Sequence, residues 1–203
     1  MSLAPLSRNT LHVVIDIQRI FAEETIWHTP VIAEIVPSVI SLCEAFTEKT
    51  LFAKFMLPQS AETASGRWKT YYKRWSAMTL DVMPAEMQDL IDPLKRFANG
   101  ENEFEKFTYS AFGSSWFVAQ LKQQAIDTII FSGVETDVCV YASVLDAVDA
   151  GYRVVIATDA VGSSDMAAHN ATMTHLAPRL SDQVDIMSTA SILHAWAEGR
   201  RER

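Results

Sequence analysis

Three side chains that could carry out chemistry lie at or just beyond the ends of apolar segments. Asp16 ends the run LHVVID, Lys106 lies near the end of EFEKF, and Cys139 follows TIIFSG by a few residues. Open parallel sheets form their ligand sites at the carboxyl ends of the strands, so we expect Asp16 and Lys106 at one edge. A carboxylate, an ammonium group and a thiol at that edge could perform acid–base and nucleophilic catalysis.

Each of these residues also has an ordinary structural explanation. Asp16 could bind backbone amides, Lys106 could be a solvated lysine, and Cys139 could be an inert core cysteine. Cys139, however, falls in the first turn of a predicted helix that begins near Asp137, where unpaired N–H groups and the helix dipole favour a thiolate. We therefore expect a lowered pKa for the Cys139 thiol.

The elements that must position these residues alternate between strand and helix. This alternation is typical of an α/β domain with a mostly parallel sheet. Helices are predicted from the apolar spacing between residues 32 and 46 and in the segments SSWFVAQLKQQA, DVCVYASVLDAVDAG (ending at Gly151) and SDMAAHNATMTHLA, with Ser188 capping a final helix. The predicted strands span residues 11–16, 50–57, 103–107, 127–133, 152–159 and 183–187.

No repeat and no linker divides the chain, so we predict a single domain over residues 1–203. Cys43 belongs to an apolar helical stripe and is expected to be a small core residue. Residues 59–82 would make an unusually long connection, rich in aromatic and basic side chains. A lid, a subunit contact and a helix packed on the domain all remain open for that segment.

Composition narrows the classes of partner. The chain has 203 residues, and 25 acidic against 17 basic residues give a net charge of −8, which predicts no nucleic-acid partner. No apolar run approaches the roughly 18–20 residues that span a bilayer, and the N-terminus lacks a signal-peptide core. We therefore expect a cytoplasmic protein without membrane contact. The glycine and histidine spacings contain no GxGxxG, GxxxxGK, GxSxG or HExxH motif.

Three motifs follow in order along the chain, and a shorter match comes after the fifth strand. They are DxQxxF at Asp16, Gln18 and Phe21; KxxxSAF at Lys106, Ser110, Ala111 and Phe112; GxxTxxCV at Gly133, Thr136, Cys139 and Val140; and DA at Asp159 and Ala160. With these motifs the chain resembles the isochorismatase-like cysteine hydrolases, a family that includes nicotinamidases and other small-amide hydrolases. The resemblance runs from about residue 11 to the end and is weakest over residues 59–82.

The resemblance implies a three-layer fold in which a six-stranded parallel sheet is flanked by helices, as the strand pattern also predicts. It implies that Asp16, Lys106 and Cys139 form a catalytic triad and that Val134 and Glu135 are joined by a cis peptide. The backbone N–H groups of Glu135 and Cys139 would form an oxyanion hole. The implied reaction is attack of Cys139 on a small amide through a thioester.

The expected partner is a small-molecule substrate whose pocket is lined by apolar or aromatic side chains. The candidates for this lining are Phe21, Trp68, Tyr109 and Phe112. Related enzymes often have a smaller residue in place of Glu135, whose side chain could alter the pocket. The resemblance to the family also implies that the protein is a homodimer or homotetramer.

The chain departs from the nicotinamidase branch of the family at that branch's metal site. The nicotinamidase branch carries an Asp-x-His site after the second strand, whereas this chain reads KFMLPQSAETAS there. We therefore predict no metal and no other cofactor, and we do not expect nicotinamide as substrate.

Two other functions remain open at this point. The same fold supports cleavage of the isochorismate vinyl ether without a cysteine nucleophile, and it could also serve as a non-catalytic interaction module. An intact set of Asp16, Lys106 and Cys139 favours the cysteine hydrolase over both alternatives.

Overall fold

The computed structural model describes residues 4–201, which form one sheet of six parallel strands in the order β3-β2-β1-β4-β5-β6. The chain starts in the middle of the sheet, builds outwards to β3, and then returns to place β4 beside β1. In open α/β sheets such a reversal creates a crevice at the carboxyl ends of the two central strands. The strands are β1 Thr10–Ile15, β2 Thr50–Phe55, β3 Glu103–Lys106, β4 Thr128–Val134, β5 Arg153–Gly162 and β6 Val184–Met187.

Helices connect the strands and cover both faces of the sheet. The α-helices are α1 Arg19–Ala22, α2 Ile32–Ala45, α3 Trp68–Arg74, α4 Asp92–Lys95, α5 Ser115–Gln123, α6 Tyr141–Asp149, α7 Met166–Ala171 and α8 Thr189–Gly199. Short 3₁₀ helices span Thr47–Lys49, Ser76–Met78, Ala85–Gln88, Ala111–Gly113 and Ala177–Leu180, and wider π-helical turns span Thr136–Val140 and Thr172–Leu176.

Successive side chains along each strand point to opposite faces of the sheet, so the core has one part on each face. Leu11, Val13 and Ile15 of β1 face α5 and α6, whereas Val14 faces α2 and α8. Because both faces are covered, the strands are almost continuously apolar, as expected for a parallel sheet. This three-layer arrangement confirms the α/β fold predicted from the sequence.

The predicted elements are present with small shifts at their ends. All six strands occur, Gly151 follows α6 with a positive φ of 87°, and the Ser188 hydroxyl accepts the Ser191 N–H to cap α8. Cys43 is completely buried in the core, as predicted. One strand is longer than predicted, because β5 continues to Gly162 beside β4.

Residues 59–82 contain α3 and pack on the domain. Tyr72 and Met78 are buried with Phe55 and Leu57 in a separate apolar cluster beyond the carboxyl end of β2. The segment therefore includes a helix that packs on the domain. No helix within residues 4–201 is both long and apolar enough to cross a membrane.

Candidate active site

An acid and a base from different strands meet at the carboxyl edge of the sheet. Asp16 follows the last residue of β1, and its positive φ of 55° turns the chain away from the strand direction. Lys106 ends β3, two strands away, and its side chain crosses over Phe55 of β2, with Nζ 4.8 Å from the ring centre. Nζ donates a hydrogen bond of 2.8 Å to Asp16 Oδ2, and both side chains are at most 1% exposed.

Cys139 comes to the same edge from the end of β4. The Val134–Glu135 peptide is cis, and the chain then enters the π-helical turn, in which the Val140 N–H donates to Glu135 O. Ser143 anchors this turn, since its hydroxyl donates to Cys139 O at 2.7 Å and accepts the Ala111 N–H at 2.9 Å. Thus residues just after β3 and β4 hold each other in place.

Burial and the neighbouring charges act together on the protonation of these groups. Burial raises the pKa of Asp16, although the Lys106 ammonium pulls that pKa down. Burial also opposes the charge on Lys106, but Asp16 and Cys139 outweigh this effect and raise the pKa of Lys106. The second carboxylate oxygen, Asp16 Oδ1, is buried and accepts no hydrogen bond from residues 4–201.

The predicted low pKa of Cys139 is wrong. Burial raises the pKa of the Cys139 thiol, and the negative charge of Asp16 raises it further, while Lys106 lowers it only in part. Cys139 is only 7% exposed, so its thiol has lost most of its contact with water. This loss of hydration outweighs the stabilisation of a thiolate that was expected from the helix terminus. The resting thiol is therefore protonated near neutral pH.

A cavity of about 340 Å³ opens onto Asp16 and Cys139. Phe21 and Tyr109, two of the four predicted lining residues, contribute to its wall. Its remaining lining residues are Ile26, Trp27, His28, Phe55, Tyr71, Trp75, Glu135, Val138 and Ser164.

The prediction for the other two aromatic residues needs correction. Trp68 lies behind the wall, with its ring centre 4.9 Å from that of Tyr109, because α3 turns it toward a neighbouring groove. Phe112 packs on Phe117 in the core under α5, since the 3₁₀ turn after Lys106 points it into the domain. Neither residue belongs to the cavity lining.

Most of the aromatic wall could not be predicted from the sequence. Tyr71 and Trp75 were recognised only as part of an aromatic segment, and Trp27 carried no signal of its own. Their common feature is position, because the loop after β1 and the segment after β2 both cover the carboxyl edge. Only the tertiary packing shows which rings face the cavity.

Glu135 has a fixed side chain at this cavity. Its Oε1 accepts the Ser164 N–H at 2.9 Å and lies 3.3 Å from the Thr29 hydroxyl, whose proton it shares with Trp27 O at 3.1 Å; these contacts tie the end of β4 to two flanking loops. Its carboxylate therefore both alters the pocket and braces it.

Gln18 fixes the backbone next to the site through side-chain hydrogen bonds. Its amide N–H groups donate to Phe55 O and Gln88 O, and its Oε1 accepts the Phe55 N–H, at distances of 2.7 to 3.1 Å. These bonds join the chain after β1, two residues beyond Asp16, to the end of β2. The motif DxQxxF identified Gln18, but its supporting role was not predicted.

The residues after β2 do not fit a metal site of the nicotinamidase type. Met56, Leu57, Pro58 and Gln59 follow this strand and provide neither a carboxylate nor an imidazole. Within residues 4–201, no three His, Cys, Asp or Glu side chains are grouped so that they could hold a metal ion.

Comparison with known proteins gives consistent matches over nearly the whole chain. A family model described as an isochorismatase domain matches residues 10–190. The chain is 26% identical over 197 residues to an Arabidopsis thaliana protein named "Probable inactive nicotinamidase", covering 94% of this chain and 96% of that protein. It is 28% identical over 106 residues to the maleamate amidohydrolase of Pseudomonas putida, covering 48% and 50%. A solved cysteine hydrolase from Pseudomonas syringae pv. phaseolicola superimposes with a TM-score of 0.81 at 20% identity, covering 98% of both chains.

Proposed function

The chain belongs to the isochorismatase family of hydrolases, and we propose that this member cleaves a small amide-type C–N bond through a thioester on Cys139. The observation that carries the proposal is the buried pair of Asp16 and Lys106 beside a cysteine at a cavity of small-molecule size. A buried ion pair is costly to maintain, and its position at a ligand cavity favours a chemical role over a structural one.

The proposed first step is transfer of the thiol proton from Cys139 to Asp16. Oδ2 is held by Lys106, whereas the buried Oδ1 is not, so we assign Oδ1 as the oxygen that takes the proton from the neighbouring thiol. Burial raises the pKa of Asp16 and makes it a stronger base. Lys106 then faces a thiolate instead of a carboxylate and keeps the negative charge compensated.

The thiolate next attacks the substrate carbonyl carbon, and the carbonyl electron pair moves to oxygen. Backbone N–H groups of Glu135 and Cys139 are proposed to stabilise this oxyanion, where loss of one donor typically costs about 2.7–4 kcal/mol. The C–N bond breaks as protonated Asp16 gives its proton to nitrogen, releasing ammonia or an amine. Water then attacks the thioester, Asp16 accepts a proton from that water, and the acid leaves as Cys139 regains its proton.

Amide chemistry is supported by the partial similarity to maleamate amidohydrolase, an enzyme named for hydrolysis of an amide. Two other functions have specific support. The matched domain is named for isochorismatase, and the Arabidopsis relative is named as inactive. A vinyl-ether hydrolase without a covalent step and a non-catalytic binding protein are therefore the competing hypotheses.

The test is ammonia release across a panel of small amides, carbamates and ureas, with isochorismate as a separate arm. We expect Cys139→Ser to lower amide hydrolysis by orders of magnitude and Cys139→Ala to abolish it, because both lose the thiolate. Cys43→Ala is the matched control and should keep its activity, since Cys43 is not among the residues that line the cavity. Mass spectrometry of enzyme quenched during turnover should find the acyl group on the peptide containing Cys139.

Each competing hypothesis has its own signature in this experiment. Turnover of isochorismate that survives Cys139→Ala would favour vinyl-ether cleavage. Absence of turnover on every substrate would favour the binding protein. Exhaustive chelation is expected to leave amide hydrolysis unchanged, because the chain lacks the acid–histidine pair after β2; loss that added metal restores would contradict this.

A further inference from the structure

The cavity wall combines aromatic rings with a fixed carboxylate. Trp27 lies at its centre, with ring centres 5.9 Å from Phe21, 6.0 Å from Phe55 and 5.9 Å from Tyr71. Rings that pack on one another in this way hold their orientation without help from a ligand. Such a wall is a preformed apolar surface for part of a substrate.

The phenol groups of the wall stay neutral. Burial raises the pKa of Tyr71 above its usual range, and burial also raises the pKa of Tyr109. Neither side chain therefore contributes charge at physiological pH. Both contribute ring faces or edges and a hydroxyl.

The remaining charge at the wall is negative. Lys106 compensates Asp16 through their ion pair, but Glu135 is bound by an N–H and a hydroxyl, both of which are uncharged. His28 is the only residue with a basic side chain among those that line the cavity. No Arg or Lys occurs among these lining residues to receive an anionic substituent.

We propose that the substrate is a small amide that carries a positively charged group, such as an alkylammonium, at the end remote from the carbonyl. The proposal rests on the amide hydrolysis proposed above and adds the class of substrate. Aromatic faces attract cations through their quadrupole, and Glu135 supplies a full opposite charge. A substrate carboxylate would instead face the carboxylate of Glu135 and lose its hydration.

The test uses three primary amides of nearly equal length and different terminal charge: 4-(trimethylammonio)butanamide, its neutral isostere 5,5-dimethylhexanamide, and glutaramate. Binding to Cys139→Ala is measured by calorimetry, which needs no chemical turnover. We expect the cation to bind about tenfold more tightly than the neutral isostere, in line with a desolvated cation–π and ionic contact. Glutaramate should bind most weakly.

Charge variants identify the residue responsible. Glu135→Gln keeps an oxygen for the Ser164 N–H but removes the charge, so the ratio of cation to neutral affinity should fall severalfold. Glu24→Gln removes the same charge from an exposed position outside the cavity lining and should leave the ratio unchanged. His28→Asn should preserve or increase the preference for the cation.

Turnover of the same amides by the wild-type enzyme separates this proposal from the proposed reaction. Tight cation binding without ammonia release would support a cation-selective cavity and contradict the hydrolase. Ammonia release from all three amides with equal affinities would support the hydrolase and overturn the substrate class. Tightest binding of glutaramate, or no binding of the cation at millimolar concentration, would also overturn it.

Discussion

At Cys139, two neighbouring charges act on the thiol in opposite directions. Asp16 raises the pKa of Cys139 and Lys106 lowers it, while burial raises it more than either. The thiol is therefore neutral at rest and lies beside the salt bridge of Asp16 and Lys106. In the proposed mechanism a nucleophile forms only when the proton moves from sulfur to the carboxylate, so activation would depend on Asp16 as a base and not on a preformed thiolate.

Asp16→Asn is expected to change alkylation and hydrolysis in opposite directions. Loss of the carboxylate removes a charge that raises the pKa of Cys139 and leaves Lys106 to lower it, so iodoacetamide should modify Cys139 faster at pH 7.5. Amide hydrolysis should fall by at least about 10²-fold, because the general base is lost. Rates are measured by mass spectrometry of the cysteine peptides and by ammonia release.

Cys43 is the internal control in the alkylation experiment. Cys43 has no exposed surface and does not line the cavity, whereas Cys139 does, so Cys43 should react more slowly than Cys139 in both proteins. The variant leaves a buried ammonium group without its partner, which is destabilising. A thermal melt therefore confirms that folded protein is compared, and slower alkylation of folded Asp16→Asn would contradict the charge assignment.

Among the elements, β1 and β4 approach each other closely at Gly133. Gly133 pairs with Ile15, has a φ of 109°, and lies where the pairing of β4 with β5 shifts its register. A Cβ atom built on Gly133 would be 2.0 Å from Ile15 O, which no side-chain rotation can relieve. Glycine here lets the backbone of β4 pass β1 and lead into the turn that holds Cys139.

Gly133→Ala should therefore destabilise the protein and disturb the site. We expect the free energy of unfolding to fall by about 3 kcal/mol or more, from left-handed strain and overpacking together. Gly151→Ala is the matched control, because Gly151 also has a positive φ of 87° but its Cβ would meet nothing within 4 Å. Its cost should be about 1–2 kcal/mol.

Urea unfolding of both glycine variants checks this prediction. Equal losses would show that backbone conformation alone, and not the contact with Ile15, sets the requirement at Gly133. If Gly133→Ala does not fold well enough to be measured, its yield of soluble protein relative to Gly151→Ala gives the same ordering.

The elements also show what could be predicted from the sequence. Strands and helices with strong local periodicity, such as β4 and α2, were found with their ends within a few residues. The extension of β5 to Gly162 was missed because it depends on pairing with β4 and not on the residues of β5 alone. Likewise, spacing identified Cys139 and its helix, but the pKa of the thiol depends on burial that only the assembled layers create.

At the scale of the whole molecule, the sheet carries a titratable group in its centre. His12 of β1 is completely buried, and its ring bridges the neighbouring strands through Thr50 Oγ1 at 3.2 Å and Ser132 Oγ at 2.8 Å. The Thr50 hydroxyl already donates to Phe46 O, so it accepts from Nδ1, and Nε2 accepts from Ser132. The neutral imidazole thus satisfies both hydroxyl groups, and burial lowers its pKa to about 3.

This burial should make the fold sensitive to mild acid. Above the ordinary histidine pKa of 6.5, His12 is neutral in both the folded and the unfolded chain and pH has no effect through it. Between pH 6.5 and about 3, the unfolded chain takes up a proton at His12 that the folded chain does not, so stability is lost as pH falls. The slope approaches about 1.4 kcal/mol per pH unit, and the loss stops below the folded pKa.

Comparison of wild type with His12→Gln isolates this contribution. Between pH 7 and pH 5, we expect the wild-type free energy of unfolding to fall about 2 kcal/mol further than that of the variant, as measured by urea unfolding at each pH. Asp16 has the opposite effect on stability as pH falls, because burial raises its pKa and the folded chain takes up a proton there more readily than the unfolded chain. This effect is the same in wild type and in the variant, so it cancels in the comparison. The imidazole signals of folded wild type provide a direct check, since those of His12 should not titrate between pH 8 and pH 4. Parallel stability curves, or an imidazole of His12 that titrates near pH 6, would contradict the assignment of a neutral histidine at the centre of the sheet.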